Sequence, residues 1–523
     1  MERTGRHAFL VAAGILLTRV LGLVRQRVFS RYFGLLDAAD AFNAALRIPN
    51  FLQNLFGEGV LSASFIPVYA RLLAENDEEG AGRVAGAVAA ILTLTTSVLV
   101  LVGVLATPYL IDAIAPGFHG AKRELTIRLV RILFPGVGLL VLSAWCLGIL
   151  NSHRKFFLSY SAGALWNLAM IATLVLFRRL DPNALAITLA WGAVAGSSLQ
   201  FGVQLPVVLR LARGLRPNLT TRTAHVREIL RNFGPVFVSR GVVQISAYVD
   251  SFLATLLGEG AVAGLANAQS LYLLPVSLFG MSISAAELPA MSGTVGDPGA
   301  VAAALRVRLN AGLRRIAFFI VPSAMAFLAL GDVITAALFQ TGRFQRADSL
   351  YVWGILAGSA VGLLASTLGR LYSSTYYAMR DTRTPLHYAA LRVALTTALG
   401  YVSAIWAPRW IGIEQRWGVA GLTASAGIAG WLEFTLLRRT LNTRIGRTGL
   451  PPMLTAKLWM AAAAGALAGW GVKLAIGPAN PIPTAILVLI PYGILYFAAT
   501  WLLRVEECRQ ALEKALRFIP SNP

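Results

Sequence analysis

The chain has 523 residues, 56% hydrophobic and only 13% charged, with a net charge of +22. A soluble chain of this length would carry about 25% charged residues, so composition excludes a soluble globular domain and implies a polytopic membrane protein. The basic excess would suggest nucleic acid in a soluble protein; here it collects in loops, as the positive-inside rule requires, and no nucleic-acid partner is expected.

A span needs about 20 mainly apolar residues. Fourteen stretches qualify, at 8–33, 37–72, 83–113, 123–150, 156–178, 184–209, 229–257, 261–292, 311–330, 346–378, 386–407, 417–437, 455–476 and 482–503. The basic N-terminus, Met1 to His7, leads into the first without a small-residue cleavage site, so it reads as a span and not as a cleaved signal. Pro49, Pro135, Pro235 and Pro275 mark kinks, where neighbours must satisfy freed backbone groups. Basic loops alternate with short, mostly uncharged ones; Arg154–Lys155, the stretch from Arg210 to Arg231, and Arg438 to Arg447 fall on one side. Arg409 and Arg416 are an exception on the other. An even span number with this bias puts both termini in the cytoplasm. The tail, with Arg504, Glu507, Gln510, Glu513 and Arg517 among apolar residues, reads as an amphipathic helix on the inner surface.

A weak internal repeat is visible. Ser30 to Gly34 precedes a helix bent at Pro49, and Ala254 to Gly258 precedes one bent at Pro275. Two related halves are a common transporter plan. The expected fold is all-α and polytopic, with two pseudo-symmetric six-helix lobes and two C-terminal helices, divided at 1–213, 214–440 and 441–523.

Polar residues in the second stretch are ordered. Asp40, Asn43, Arg47, Asn50, Asn54 and Glu58 are spaced as one helix face. Such a stripe on a membrane helix must face a bundle interior or a water-filled cavity. A second stripe runs through Asn267, Ser270, Ser277, Ser284 and Glu287. Arg19 and Arg25 interrupt the first span, about 120° apart around a helix of 3.6 residues per turn; a wide cavity could receive both. Arg47 lies between Asp40 and Glu58, and pairing is expected because a lone charge at a bilayer centre costs at least about 2.5 kcal/mol. Arg240 falls in the seventh stretch with Gln244 one turn on, whereas Arg370 and Arg392 sit near span ends and read as snorkelling.

The sequence has no GxxxxGK[ST], GxSxG or HExxH pattern, and its five histidines form no metal-ligand cluster. Cys146 and Cys508 suggest neither a disulfide nor redox chemistry. An enzyme, a metal site and a cofactor are therefore not expected. Several arginines facing a cavity favour an anion, since guanidinium forks match phosphate oxygens in two-point contact.

Thr18-Arg19-Val20-Leu21-Gly22-Leu23-Val24-Arg25, Asp40-Ala41-Phe42, Arg47-Ile48-Pro49-Asn50-Phe51-Leu52 and Glu58-Gly59 closely resemble the N-terminal signature of the MurJ (MviN) family, within the MOP exporter superfamily. Asn232-Phe233-Gly234-Pro235, Leu274-Pro275 and the run Tyr376 to Pro385 extend the resemblance in order along nearly the whole chain. The resemblance implies lobes around a cationic cavity, a polyprenyl-tail groove on the last two spans, and lipid II as substrate. It implies movement of that substrate across the bacterial cytoplasmic membrane for peptidoglycan synthesis, driven by an ion gradient or the membrane potential, near cell-wall synthesis proteins. It also implies that Arg19 and Arg25 hold the pyrophosphate while Asp40 and Glu58 support the cavity or its gate.

The chain departs from the family pattern at three places. Gln26 stands where aspartate is usual, and Gln53 and Ser270 where arginine is usual. Arg240, at a position seldom charged in the family, is expected to replace the lost charge of the eighth span. The departures leave two alternatives: export of another polyprenyl-diphosphate-linked glycan, or a transport-dead membrane scaffold.

Overall fold

A computed structural model describes residues 2–56, 58–216, 218–219, 223–294, 296–477 and 479–517, with side chains except those of 2–13, 15, 49, 58–60, 62–63, 234–247 and 514–517. The described residues are helical wherever a span was expected. Ten helices are apolar and long enough to cross a membrane, and a bent pair makes an eleventh. The other three expected spans, 8–33, 37–72 and 229–257, are covered by helices some of whose side chains lie outside the described set.

The chain packs as two units, residues 1–263 with 341–344, and 264–340 with 345–523. The first unit holds α1 (Glu2–Phe33), α2 (Asp37–Phe56), α3 (Glu58–Ala74), α4 (Glu78–Ile114), α5 (Gly120–Ser152), α6 (Phe156–Leu176), α7 (Pro182–Leu211) and α8 (Ala224–Thr255). α1 lies along α6, α2 and α4 flank α5, and α8 packs on α3. Phe65, Tyr69, Val141, Trp145 and Ile149 form the buried centre of one cluster. On α4, Leu94, Val98, Leu101, Leu105 and Tyr109 recur at helical spacing and are all exposed. In water that stripe would be an aggregation liability; in lipid it is the face a span must present.

α9 (Ala261–Pro275) starts in the last residues of the first unit and runs on into the second, which continues with a π-helical turn at Val276–Met281, α10 (Ser282–Ser292), α11 (Pro298–Ala329), α12 (Gly331–Phe339), α13 (Arg346–Ala360), α14 (Leu363–Ala378), α15 (Arg383–Tyr401), α16 (Ala407–Ile411), α17 (Gly418–Ile445), α18 (Pro452–Ile476), α19 (Pro481–Leu502) and α20 (Glu506–Arg517). α13 and α14 form the bent pair, at 43°. Where α17 crosses it, a Cβ on Gly362 would lie 2.3 Å from the Cα of Gly427, so backbones meet as they do at small-residue membrane interfaces.

Local chemistry sets the helix ends. Asp77, Asp181 and Asp297 accept N–H bonds at the starts of α4, α7 and α11, and Pro182 and Pro298 occupy the first helical positions of the latter two. Gly34 and Gly258, equivalent in the internal repeat, both take left-handed backbone conformations at φ +57° and +97° just after α1 and α8. The repeat's two bends differ. Pro275 is followed directly by the π turn, whereas the α2 backbone stays helical through Pro49.

The tail is helical, as expected, but protein holds it. Arg314 on α11 donates to Glu506 at 2.9 Å and also binds Glu507, and both Glu507 and Cys508 are buried.

Candidate functional site

α1 carries the first two cations. Arg19 is exposed and has no hydrogen-bond or ionic partner among the described residues. Arg25, two turns on, is half-buried. Its guanidinium lies 5.0 Å from the centre of the Trp166 ring, and its Nη1 donates to Met170 Sδ at 3.7 Å. Both partners come from α6, one helical turn apart, because α1 and α6 run alongside each other. An indole face and a thioether hold a guanidinium in place without neutralising it. Nε of Arg25 is buried and has no hydrogen-bond partner among the described residues. The geometry leaves a positioned cation with an open donor, suited to a multiply charged anion that can use both arms of the fork.

Asp40 is arranged in the opposite way. It is fully buried. Its Oδ2 accepts from Lys122 Nζ at 2.7 Å and from the Gly260 N–H at 2.8 Å, and Oδ1 accepts from the Ala263 N–H at 2.7 Å. The two N–H groups lie at the start of α9, where unsatisfied donors and the helix dipole favour an anion. Lys122 also pairs with Asp37 at 2.6 Å and lies 4.5 Å from the Phe118 ring centre. Of the two carboxylates that flank Arg47 in the stripe, Asp40 thus pairs with Lys122, from a different helix, and not with Arg47.

Along α2 the polar stripe grades from buried to exposed. Asp40 is buried, Asn43 and Arg47 are half-buried, and Asn50 and Asn54 are exposed. Asn43 turns its amide back to the Ala39 carbonyl at 2.8 Å. The Tyr248 hydroxyl donates to the Arg47 carbonyl oxygen, and the Tyr248 ring meets Phe51 edge-on at 5.3 Å, tying the middle of α2 to α8. The side chains of Glu58, Arg240 and Gln244 lie outside the described residues. Of the diverged positions, Gln26 and Gln53 are half-buried, and Ser270 Oγ donates to its own helix at Asn267 O, 2.7 Å away.

In the second unit, Glu287 on α10 stands 3.6 Å from both Arg308 and Arg315 of α11. Arg392 pairs with Glu433 at 3.1 Å, in place of the lone snorkelling expected for it. The described residues hold no cluster of His, Cys, Asp and Glu able to bind a metal.

Sequence reading missed Lys122, Trp166 and Met170. Lys122 had a usable signal, as a basic residue in a loop assigned to the side where few are found. The other two are apolar or aromatic residues in an apolar helix and carry no mark of their own.

The chain matches the family described as "Lipid II flippase MurJ" over residues 29–479. It is 30% identical over 513 residues to the lipid II flippase MurJ of Burkholderia cenocepacia, covering 95% of this chain and 97% of that one. It is 32% identical over 455 residues to a probable lipid II flippase MurJ of Bdellovibrio bacteriovorus, covering 84% and 82%. Among solved structures it resembles "Lipid II flippase MurJ, inward closed conformation" at TM-score 0.79 and 23% identity, covering 95% of this chain and 98% of that one. It also resembles an inward-facing multidrug resistance MATE transporter of the MOP superfamily at TM-score 0.65 and 17% identity, covering 83% and 98%. These two likenesses establish the fold, and together with the family match and the two relatives they lead to one conclusion: the chain belongs to the MurJ family of lipid II flippases.

Proposed function

We propose that the chain moves lipid II from the inner to the outer leaflet of the bacterial cytoplasmic membrane by alternating access, with Arg19 and Arg25 gripping the pyrophosphate. The observation that carries this reading is Arg25, a cation oriented by Trp166 and Met170 with a buried donor left unpaired among the described residues. A diphosphate supplies the acceptors that this guanidinium lacks, and exposed Arg19 on the same helix supplies further donors. Transport by this route needs no catalytic group, only charges that bind in one state and release in another. Both termini are cytoplasmic in this scheme, and an ion gradient or the membrane potential drives the cycle. α18 and α19, whose exposed faces carry Leu467, Leu474, Ile490 and Ile494, supply apolar surface for the polyprenyl tail. Arg240 contributes the positive charge that Ser270 no longer provides.

The test is rescue of a bacterium depleted of its own lipid II flippase, with membrane levels of each variant measured. Wild type should restore growth, and Arg19→Ala and Arg25→Ala should not. Equal rescue by wild type and both variants would reject the pyrophosphate grip. Arg240→Ala should also fail; full activity in that variant would remove the compensation. Gln53 and Ser270 favour one further reading, export of another polyprenyl-diphosphate-linked glycan, which predicts a well-expressed wild type that rescues loss of such an exporter but not of the flippase.

A further inference from the structure

A cavity of about 630 Å³ lies at one end of the second unit, where α12 and α13 begin, α18 ends and α19 begins. That volume is in the range of small-molecule sites, about 300–1,000 Å³. Its wall is mixed. Val333, Ala336 and Leu350 are apolar, and Asp332, Lys473 and Arg346 are charged. Asp332 and Lys473 form an ion pair. On its own that pair needs no ligand, because a carboxylate in the first turn of α12 and an ammonium in the last turn of α18 each offset a helix dipole.

Three features go beyond that account. Asp332 Oδ1 is buried and accepts no hydrogen bond among the described residues. Arg346 is exposed, has no partner among the described residues, and opens α13, where a positive charge opposes the helix dipole. The three charges lining the cavity therefore leave one positive charge uncompensated. Third, the cavity borders an apolar cluster of Leu330, Val333, Ala485 and Val488, and Leu474, Ile482 and Ile486 are exposed at the same helix ends. A cation and a half-satisfied carboxylate above an apolar surface match the rim of a bilayer.

We propose that this cavity binds the headgroup of a glycerophospholipid. Its phosphodiester sits against Arg346 and Lys473, and its amine or hydroxyl donates to Asp332 Oδ1. On the topology proposed above, the lipid comes from the outer leaflet. The site is separate from Arg19 and Arg25, so it stands whatever the transported substrate.

The experiment uses delipidated full-length protein in detergent and calorimetric titration with soluble dihexanoyl phosphatidylglycerol and phosphatidylethanolamine, with farnesyl diphosphate and inorganic phosphate as competing sources of the same phosphate chemistry. Saturable binding of a phospholipid is expected, weakened about tenfold in Arg346→Gln, as loss of one charge-assisted contact implies, and largely kept in Arg346→Lys. Arg346 is exposed and unpaired among the described residues, so these variants should fold. The double variant Asp332→Asn/Lys473→Met removes the pair without stranding a charge and should weaken binding similarly. Phospholipid binding that does not saturate, or that is equal in wild type, Arg346→Gln and the double variant, overturns the proposal. So does a site that farnesyl diphosphate or inorganic phosphate fills more tightly than either phospholipid.

Discussion

Asp40 and Arg25 are both charged residues on membrane-length helices of the same unit, and their surroundings are opposites. Asp40 receives three hydrogen bonds within 2.8 Å and is fully buried. Arg25 rests on an aromatic ring and a sulfur, and its Nε has no partner among the described residues. A saturated charge in a bilayer is a joint: its energy is spent on its neighbours and it has nothing to give a ligand. An unsaturated charge held in place is costly to keep, and a ligand of opposite sign recovers that cost.

The comparison breaks most readily at Asp40. Asp40→Ala strands two backbone donors and one contact of Lys122, and a broken buried pair costs about 3–5 kcal/mol; a large fall in thermal stability in detergent and in membrane yield is expected. Unchanged stability would mean that Asp40 is a ligand group after all. Arg25→Ala should do the reverse, losing transport while its melting temperature changes little, since a cation–π contact is worth about 1 kcal/mol. A variant that unfolds would place Arg25 with Asp40, among the joints.

A third case lies outside the spans. Asp381, between α14 and α15, accepts from the Thr384 N–H at 3.0 Å, the Thr384 hydroxyl at 2.7 Å and Arg444 Nη1 at 2.7 Å. The Thr384 bonds, chiefly, and Arg444 hold its carboxyl well below the usual carboxylate range. A depressed carboxyl stabilises the fold above its unfolded value and loses that contribution as pH falls through its folded value. Asp381→Asn should therefore cost about 2 kcal/mol near neutral pH, the worth of hydrogen bonds to a charged group. The gap from wild type should stay flat from about pH 8 to 5 and close only below about pH 4, where carboxyls of ordinary pKa protonate. A gap that narrows already at pH 6 would refute the assignment. The smallest effect belongs to Ser270→Ala. Among the described residues its hydroxyl bonds only to the same helix, so a stability change within about 0.5 kcal/mol and full rescue are expected; a transport defect there would make Ser270 a ligand.

The helices were legible because apolar length and loop charge are properties of single segments. The partners of Asp40 were not. Lys122 lies 82 positions away, and Gly260 and Ala263 contribute backbone N–H groups, which leave no trace in side-chain identity. The stripe of α9 and α10 runs through the π turn at Val276–Met281. At its far end Glu287 meets Arg308 and Arg315 of α11, partners that spacing within the stripe does not announce. Arg25 was legible as a charge within an apolar span, but Trp166 and Met170, which hold its guanidinium, look like any residues of such a span.

The buried thiols have a practical consequence for labelling. Cys146 and Cys508 are both free and buried, so a bulky impermeant maleimide should leave the native protein nearly unlabelled. A single cysteine introduced at exposed Asn54 would then report its own accessibility without removal of either native thiol. Cys508 donates to the Phe497 carbonyl of α19 and lies beside the carboxylates that Arg314 of α11 grips, so it should gain reactivity only when α20 lifts from both helices. The wild-type chain thus carries its own reporter of tail release.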